Sequence, residues 1–79
     1  MERNEIYERL NSVFRDVFDD DTITVTDSTT APDIEGWDSL THITLLSAVE
    51  DEFGISFNMK DVVKMKNVGD MVDIIQNEI

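Results

Sequence analysis

A short segment, Gly36-Trp37-Asp38-Ser39-Leu40, brings together residues that could support covalent chemistry. Asp38 precedes an apolar run and is a good helix N-cap, because its carboxylate can accept hydrogen bonds from the free amides of the first turn. Ser39 would then occupy the first helical position, with an exposed hydroxyl beside unpaired N–H groups. Such a position accommodates a phosphate well, so Ser39 is a candidate attachment site for a phosphate-bearing group.

The tripeptide Asp38-Ser39-Leu40 is also an ordinary helix start, so by itself it leaves a purely structural role open. Other reactive residues are few, because the chain has one histidine, His42, and no cysteine. It has no disulfide framework, and any thiol must come from outside the chain. We expect His42 to lie on an exposed turn as a solvated residue, and we predict neither a catalytic residue nor a metal site.

The composition excludes several classes of partner. Eighteen acidic and six basic residues give a formal net charge of -12, which opposes binding to nucleic acids and to anionic membranes and favours basic protein surfaces. The 79 residues suffice for one domain, residues 1–79. Because no apolar stretch approaches the roughly 18 residues that span a bilayer, we expect a cytoplasmic monomer without membrane insertion.

The residues before the motif predict a helix followed by a long loop. An apolar face predicts a first helix over about residues 2–18. Its members are Ile6, Leu10, Val13, Phe14 and Val17. Three aspartates at 19–21 mark its end, since carboxylates are unfavourable at the negative end of the helix dipole. Residues 22–37 have no helical period, and we expect an extended loop that places Ile23, Val25 and Ile34 in the core.

Three further helices are expected after the loop. The second carries the apolar stripe Leu40, Ile43, Leu46, Val49 and Phe53 and ends at Gly54. Asn58 is expected to cap a short helix that runs to Met65, and Asn67 to cap the last one. The last helix is expected to bury Val68, Met71, Val72, Ile75 and Ile79. The predicted fold is all-α, a small four-helix bundle of three longer helices and one short one, with a long loop between helices one and two.

With these elements in place, the chain resembles the acyl carrier protein family over essentially its whole length. The resemblance is carried by residues 36–40, by Ile43 and Leu46, and by the run Glu-Asp-Glu-Phe-Gly-Ile at 50–55. It implies that a phosphopantetheinyl transferase esterifies Ser39 with 4′-phosphopantetheine from coenzyme A. The thiol of that arm would hold acyl groups as thioesters, in a chain that is not itself an enzyme.

The resemblance also implies that the second helix and the loop before it contact the partner enzymes. These would be acyl-transfer, ligase or synthase enzymes with basic docking patches. The residues expected to contact them are Trp37, Leu40, Ile43 and Glu50. Carriers of fatty-acid synthases usually have acidic residues where this chain has Thr41 and Thr44. Because such charges set encounter rate and partner choice, the neutral helix start predicts partners other than the housekeeping fatty-acid enzymes.

The sequence leaves alternatives open. A peptidyl or aminoacyl carrier would have the same arm and a different cargo, whereas an acidic interaction bundle would use Ser39 only to start a helix and would never be modified. Fatty acid, polyketide and specialised lipid pathways all fit an acyl carrier of this kind. Methionines at 59, 65 and 71 are expected to belong to the core or to line a pliable groove for an acyl chain.

Overall fold

Four α-helices form the fold in the computed structural model, which describes residues 1–79. They are α1 (Arg3–Phe18), α2 (Ser39–Phe53), α3 (Met59–Lys64) and α4 (Val68–Glu78). A single 3-10 turn, Ala31–Asp33, interrupts the long loop between α1 and α2. This arrangement confirms the predicted all-α bundle of three longer helices and one short one. None of its helices is both long and apolar enough to cross a membrane.

The ends of the helices follow from local residue chemistry. Asp19, the first of the three aspartates, ends α1 in the left-handed region at φ 50°, and Gly54 ends α2 at φ 65°. The side chains of Asn58 and Asn67 accept hydrogen bonds from the amides three residues on, at 2.9 and 2.8 Å. Both predicted caps are therefore confirmed.

The core is a single cluster of buried apolar residues from α1, α2, α4 and the long loop. Its members are Ile6, Leu10, Val13, Phe14, Ile23, Val25, Leu45, Val49, Phe53, Val68, Met71, Val72 and Ile75. Ile23 and Val25 are buried as predicted, and Ile34 is half-buried against the cluster. No residue of α3 is buried, so this short helix lies on the surface of the bundle.

The prediction that one apolar stripe of α2 is buried along its whole length is wrong for the first half of the helix. Leu40 and Ile43 are 79% and 68% exposed, whereas Leu45 is fully buried. Each step of three residues falls about 60° short of a full helical turn, so Leu40 and Val49 lie on opposite sides of α2. Ile79 is also not buried as predicted, because α4 ends at Glu78 and leaves this last side chain 45% exposed.

Polar contacts fasten the long loop to α1. The guanidinium of Arg3 lies 2.7 Å from the carboxylate of Asp27 and 2.8 Å from that of Asp73 on α4, and the hydroxyl of Tyr7 also donates to Asp27. Hydrogen bonds from Tyr7 and Arg3 lower the pKa of Asp27. Exposed ion pairs of this kind contribute little stability, but they join the loop to α1, and through Arg3 to the Asp73 side chain of α4.

The loop is also tied to the start of α4 through the backbone. The amide of Val68 donates to the carbonyl of Thr29 at 2.8 Å, and the amide of Gly69 donates to the carbonyl of Asp27 at 3.0 Å. A Cβ at position 69 would lie 2.8 Å from that carbonyl oxygen. Glycine is required here because the two backbones approach so closely.

We predict that Gly69→Ala destabilises the fold even though alanine is the better helix former. The overpacking cost exceeds the gain in helix propensity, so the free energy of unfolding should fall by about 1 to 2 kcal/mol. Urea unfolding followed by circular dichroism measures this change. Thr44→Ala, at an exposed position of α2, is the control and should be near neutral. Unchanged or increased stability of Gly69→Ala would contradict the close approach.

Candidate functional site

The start of α2 is held by a reciprocal cap between Asp38 and Thr41. The Asp38 carboxylate accepts hydrogen bonds from the amides of Leu40 and Thr41 at 2.9 and 3.0 Å, and the Thr41 hydroxyl accepts from the Asp38 amide at 2.8 Å. The backbone bond from Thr41 contributes most to lowering the pKa of Asp38, so this carboxylate is ionised at neutral pH. The predicted N-cap is confirmed.

Thr41 has a role that the sequence analysis missed. Besides completing the cap, its hydroxyl donates to the carbonyl of Gly36 at 2.7 Å and so ties the loop to the helix. Its position three residues after the cap was the available signal, because a side chain there can reach back to the cap amide.

Ser39 occupies the first position of α2 and is exposed, as the motif predicts. Its hydroxyl takes part in none of the hydrogen bonds within the chain. The surroundings differ from the expectation in one respect, because Asp38 already pairs with the amides of Leu40 and Thr41. A phosphate on Ser39 would therefore rely on the positive end of the helix dipole and on the amide of Ser39 itself.

Trp37 joins the site to the core. Its ring packs edge-on against Phe14, with the centroids 5.2 Å apart, and lies 6.2 Å from the ring of Phe18. On its other side, the indole Nε1–H donates to Nδ1 of His42 at 3.0 Å, and the two rings lie 24° from parallel. Trp37 therefore packs against both α1 and α2, and it positions the imidazole.

His42 is half-buried, so the expectation of an exposed, solvated residue is wrong. The indole lies against the Nδ1 edge of its ring, and burial lowers the pKa of His42 below its ordinary value. Because Nδ1 accepts the bond from Trp37, the proton of the neutral ring lies on Nε2. No local pattern of residues indicated this pairing, because it depends on how the loop folds back onto α2.

A cavity of about 340 Å³ opens beside Ser39. Residues that line it include Ala31, Trp37, Ser39, His42, Met65 and Met71. Met65 and Met71 thus belong to groove and core as expected, whereas Met59 is 78% exposed on α3 and lines a separate, open groove on the surface of that helix. The cavity is at the small end of the range for ligand sites.

The structure brings three of the four candidate docking residues next to Ser39, two of them exposed. Leu40 and Ile43 are exposed on α2 within four positions of the hydroxyl, and Trp37 is half-buried in the loop before it. Glu50 lies about three turns away, and its carboxylate accepts a hydrogen bond from the amide of Phe57 at 2.7 Å. Its side chain therefore holds the α2–α3 connection.

The basic residues are divided between two places. All three arginines lie on α1 and hydrogen-bond to other parts of the chain. The three lysines, Lys60, Lys64 and Lys66, are exposed, form no ion pair, and lie on α3 or just after it. Because Lys66 also lines the cavity, its rim carries positive charge on an otherwise acidic protein.

Comparisons with known proteins agree on one family. Residues 8–75 match the family model described as "Phosphopantetheine attachment site". Acyl carrier proteins of Thermosynechococcus vestitus and Thermotoga maritima are each 31% identical, over 100% and 98% of this chain and 98% and 95% of their own. The solution structure of a holo acyl carrier protein from Geobacter metallireducens is 42% identical, with a TM-score of 0.86 over 91% of this chain and 83% of that one.

We predict that His42 titrates below its ordinary pKa of about 6.5 and that stability falls in acid. At a pH between the folded and the unfolded pKa of His42, the imidazole is protonated in the unfolded chain and neutral in the folded chain. The free energy of unfolding should therefore be constant above about pH 6.5 as far as this group is concerned and should decrease as the pH falls towards the folded pKa.

Imidazole chemical shifts followed by NMR against pH measure the folded value, and the same titration in urea supplies the unfolded reference. A folded pKa at or above the unfolded one would contradict the buried, neutral ring.

Proposed function

The chain belongs to the acyl carrier protein family, and we propose that Ser39 is the residue that bears its 4′-phosphopantetheine arm. The family's prosthetic group carries acyl groups as thioesters on its terminal thiol. The observation that supports Ser39 is its hydroxyl, which is exposed at the first position of α2 and free of hydrogen bonds within the chain. Asp38 and Leu40 complete the attachment motif.

The residues around Ser39 fit such a group. A phosphodiester at this hydroxyl would lie at the positive end of the α2 dipole. The Asp38 carboxylate is already engaged with two backbone amides, so much of its charge is balanced locally. The cavity beside Ser39 has apolar walls from Trp37, Met65 and Met71, which suit the apolar portions of an arm or its cargo.

We propose that the whole chain, residues 1–79, acts as a single carrier domain and catalyses nothing itself. His42, the residue most able to act as a base, is engaged at Nδ1 by Trp37. The function is then to present a tethered thioester to successive enzymes at high effective concentration. The names of the matched relatives favour an acyl cargo over an aminoacyl one, and the family match favours a modified carrier over an unmodified interaction bundle.

A carrier of this family interacts with transferase and synthase enzymes. We propose that a phosphopantetheinyl transferase and acyl-transfer, ligase or synthase enzymes dock on Leu40 and Ile43, with basic patches that complement the acidic chain. The neutral Thr41 and Thr44 support a fatty acid, polyketide or specialised lipid pathway with enzymes other than the housekeeping ones. We further propose a monomer located in the cytoplasm, where coenzyme A is available.

We predict that incubation with coenzyme A and a promiscuous phosphopantetheinyl transferase adds the mass of one arm to the chain. Intact-mass spectrometry measures the gain. Ser39→Ala should gain nothing, because the accepting hydroxyl is absent. Ser47→Ala removes another exposed serine of α2 and should be modified like the parent. Absence of the gain in the parent chain, or its persistence in Ser39→Ala, would refute the assignment.

We predict that Leu40→Ala/Ile43→Ala weakens docking without weakening the fold. Both side chains are exposed, so stability should change by no more than about 0.5 kcal/mol. Loss of two central apolar contacts should lower kcat/KM for modification by the transferase roughly ten-fold. Val63→Ala, which truncates an apolar side chain that is 77% exposed on α3, is the matched control. Equal kcat/KM for the double variant and the parent would exclude these residues from the docking surface.

A further inference from the structure

The imidazole of His42 is fixed in one orientation. Nδ1 accepts the indole N–H of Trp37 at 3.0 Å, and Trp37 is held in turn by Phe14 with ring centroids 5.2 Å apart. A half-buried ring supported through two aromatic residues loses little further entropy when it binds a ligand. His42 is therefore a preorganised group.

One polar atom of this ring is left without a partner. Because Nδ1 is the acceptor, Nε2 carries the proton of the neutral imidazole and is a donor. None of the hydrogen bonds within the chain uses that donor. Burial also lowers the pKa of His42, which keeps the ring in this neutral form at physiological pH.

The ring and the attachment residue share one cavity. Ser39 and His42 are three residues apart on α2, a spacing that places both on the same face of a helix about one turn apart. Both line the cavity of about 340 Å³, with Met65 and Met71 on its wall. A chain that leaves the Ser39 hydroxyl can thus enter this space and meet the imidazole.

We propose that the Nε2–H of His42 forms a binding subsite for a carbonyl oxygen of the group attached to Ser39, either an amide of the arm or the thioester carbonyl of its cargo. The inference rests on the proposed function of Ser39. Its consequence is that the loaded arm spends part of its time folded back against Trp37 and His42, where the thioester is withdrawn from water.

Neighbouring groups do not offer an equivalent donor on the α2 side of the cavity. The indole N–H of Trp37 is already used, and the Asp38 carboxylate can only accept. The side-chain amide N–H groups of Asn67, whose oxygen caps α4, and the ammonium of Lys66 also line the cavity, but both belong to the segment that leads into α4 and not to α2. On the α2 side, His42 is therefore the group whose replacement should release the arm.

The test uses the full chain, ¹⁵N-labelled at histidine, loaded from coenzyme A and separately from acetyl coenzyme A. Intact mass first confirms loading, so a failure of the proposed function is recognised before the subsite is examined. The His42 Nε2 resonance is then compared between apo, thiol-armed and acetyl-armed protein. A shift in both armed forms identifies an amide carbonyl as acceptor, and a shift confined to the acetyl form identifies the thioester carbonyl.

Two variants separate the donor from the rest of the ring. His42→Asn places its amide near the position of Nδ1, so it can still accept from Trp37 but cannot reach into the cavity. His42→Gln reaches the position of Nε2 and can still donate. Because a typical hydrogen bond is worth about 1 kcal/mol net, His42→Asn should lower the docked fraction relative to the free arm by roughly five-fold, and His42→Gln should retain most of it.

The docked fraction is measured independently as the spontaneous hydrolysis rate of the acetyl thioester and as arm-induced shifts of the Met65 methyl group. Faster hydrolysis and smaller shifts in His42→Asn, with rescue in His42→Gln, support the subsite. A fully loaded protein whose Nε2 resonance does not move, or whose Met65 shifts persist in His42→Asn, would overturn it while leaving Ser39 as the attachment residue. Failure to load at all would remove both proposals.

Discussion

The hydrogen bonds from the first-turn amides to the Asp38 carboxylate determine where α2 begins, and the rest of the site depends on that point. A helix that starts one residue earlier or later would turn every side chain on it by about 100°. With the start fixed at Ser39, that hydroxyl faces solvent, His42 faces the cavity, and Leu45 faces the core. The cap also uses amides that a phosphate could otherwise bind. Ser39 is thus suited to attachment by its position and its exposure, and not by a set of free backbone amides that could bind a phosphate.

The loop before α2 holds this start in place, because its contacts reach three different parts of the chain. Arg3 and Tyr7 of α1 bind Asp27, Thr41 binds the carbonyl of Gly36, and the backbone of α4 approaches the loop at Gly69. Each contact is weak and largely exposed. Together these contacts hold the irregular loop in one conformation. In that conformation the Trp37 ring packs against Phe14 and Phe18.

Features governed by neighbouring residues could be predicted from the sequence, including the caps at Asp38, Asn58 and Asn67 and the left-handed end of α2 at Gly54. The burial of Ile23 and Val25 could also be predicted, because apolar residues within a polar loop are stabilised by packing against the core. The exposure of Leu40 and Ile43 was missed because a spacing of three residues drifts around the helix. Contacts that depend on tertiary packing could not be predicted from the sequence. These are the Trp37–His42 hydrogen bond and the ion pairs of Arg3 with Asp27 and Asp73.

The separation of arginines from lysines has a practical consequence. Every side-chain primary amine of this molecule lies within seven consecutive residues, Lys60 to Lys66, and the last of them lines the cavity. Succinimidyl dyes, amine-coupling sensor chips and lysine-directed cross-linkers would therefore attach, apart from the amino terminus, to the surface formed by α3 and the residues just after it, and at Lys66 they could block the cavity. A tag or a unique thiol at the carboxyl end would immobilise the protein with that surface open.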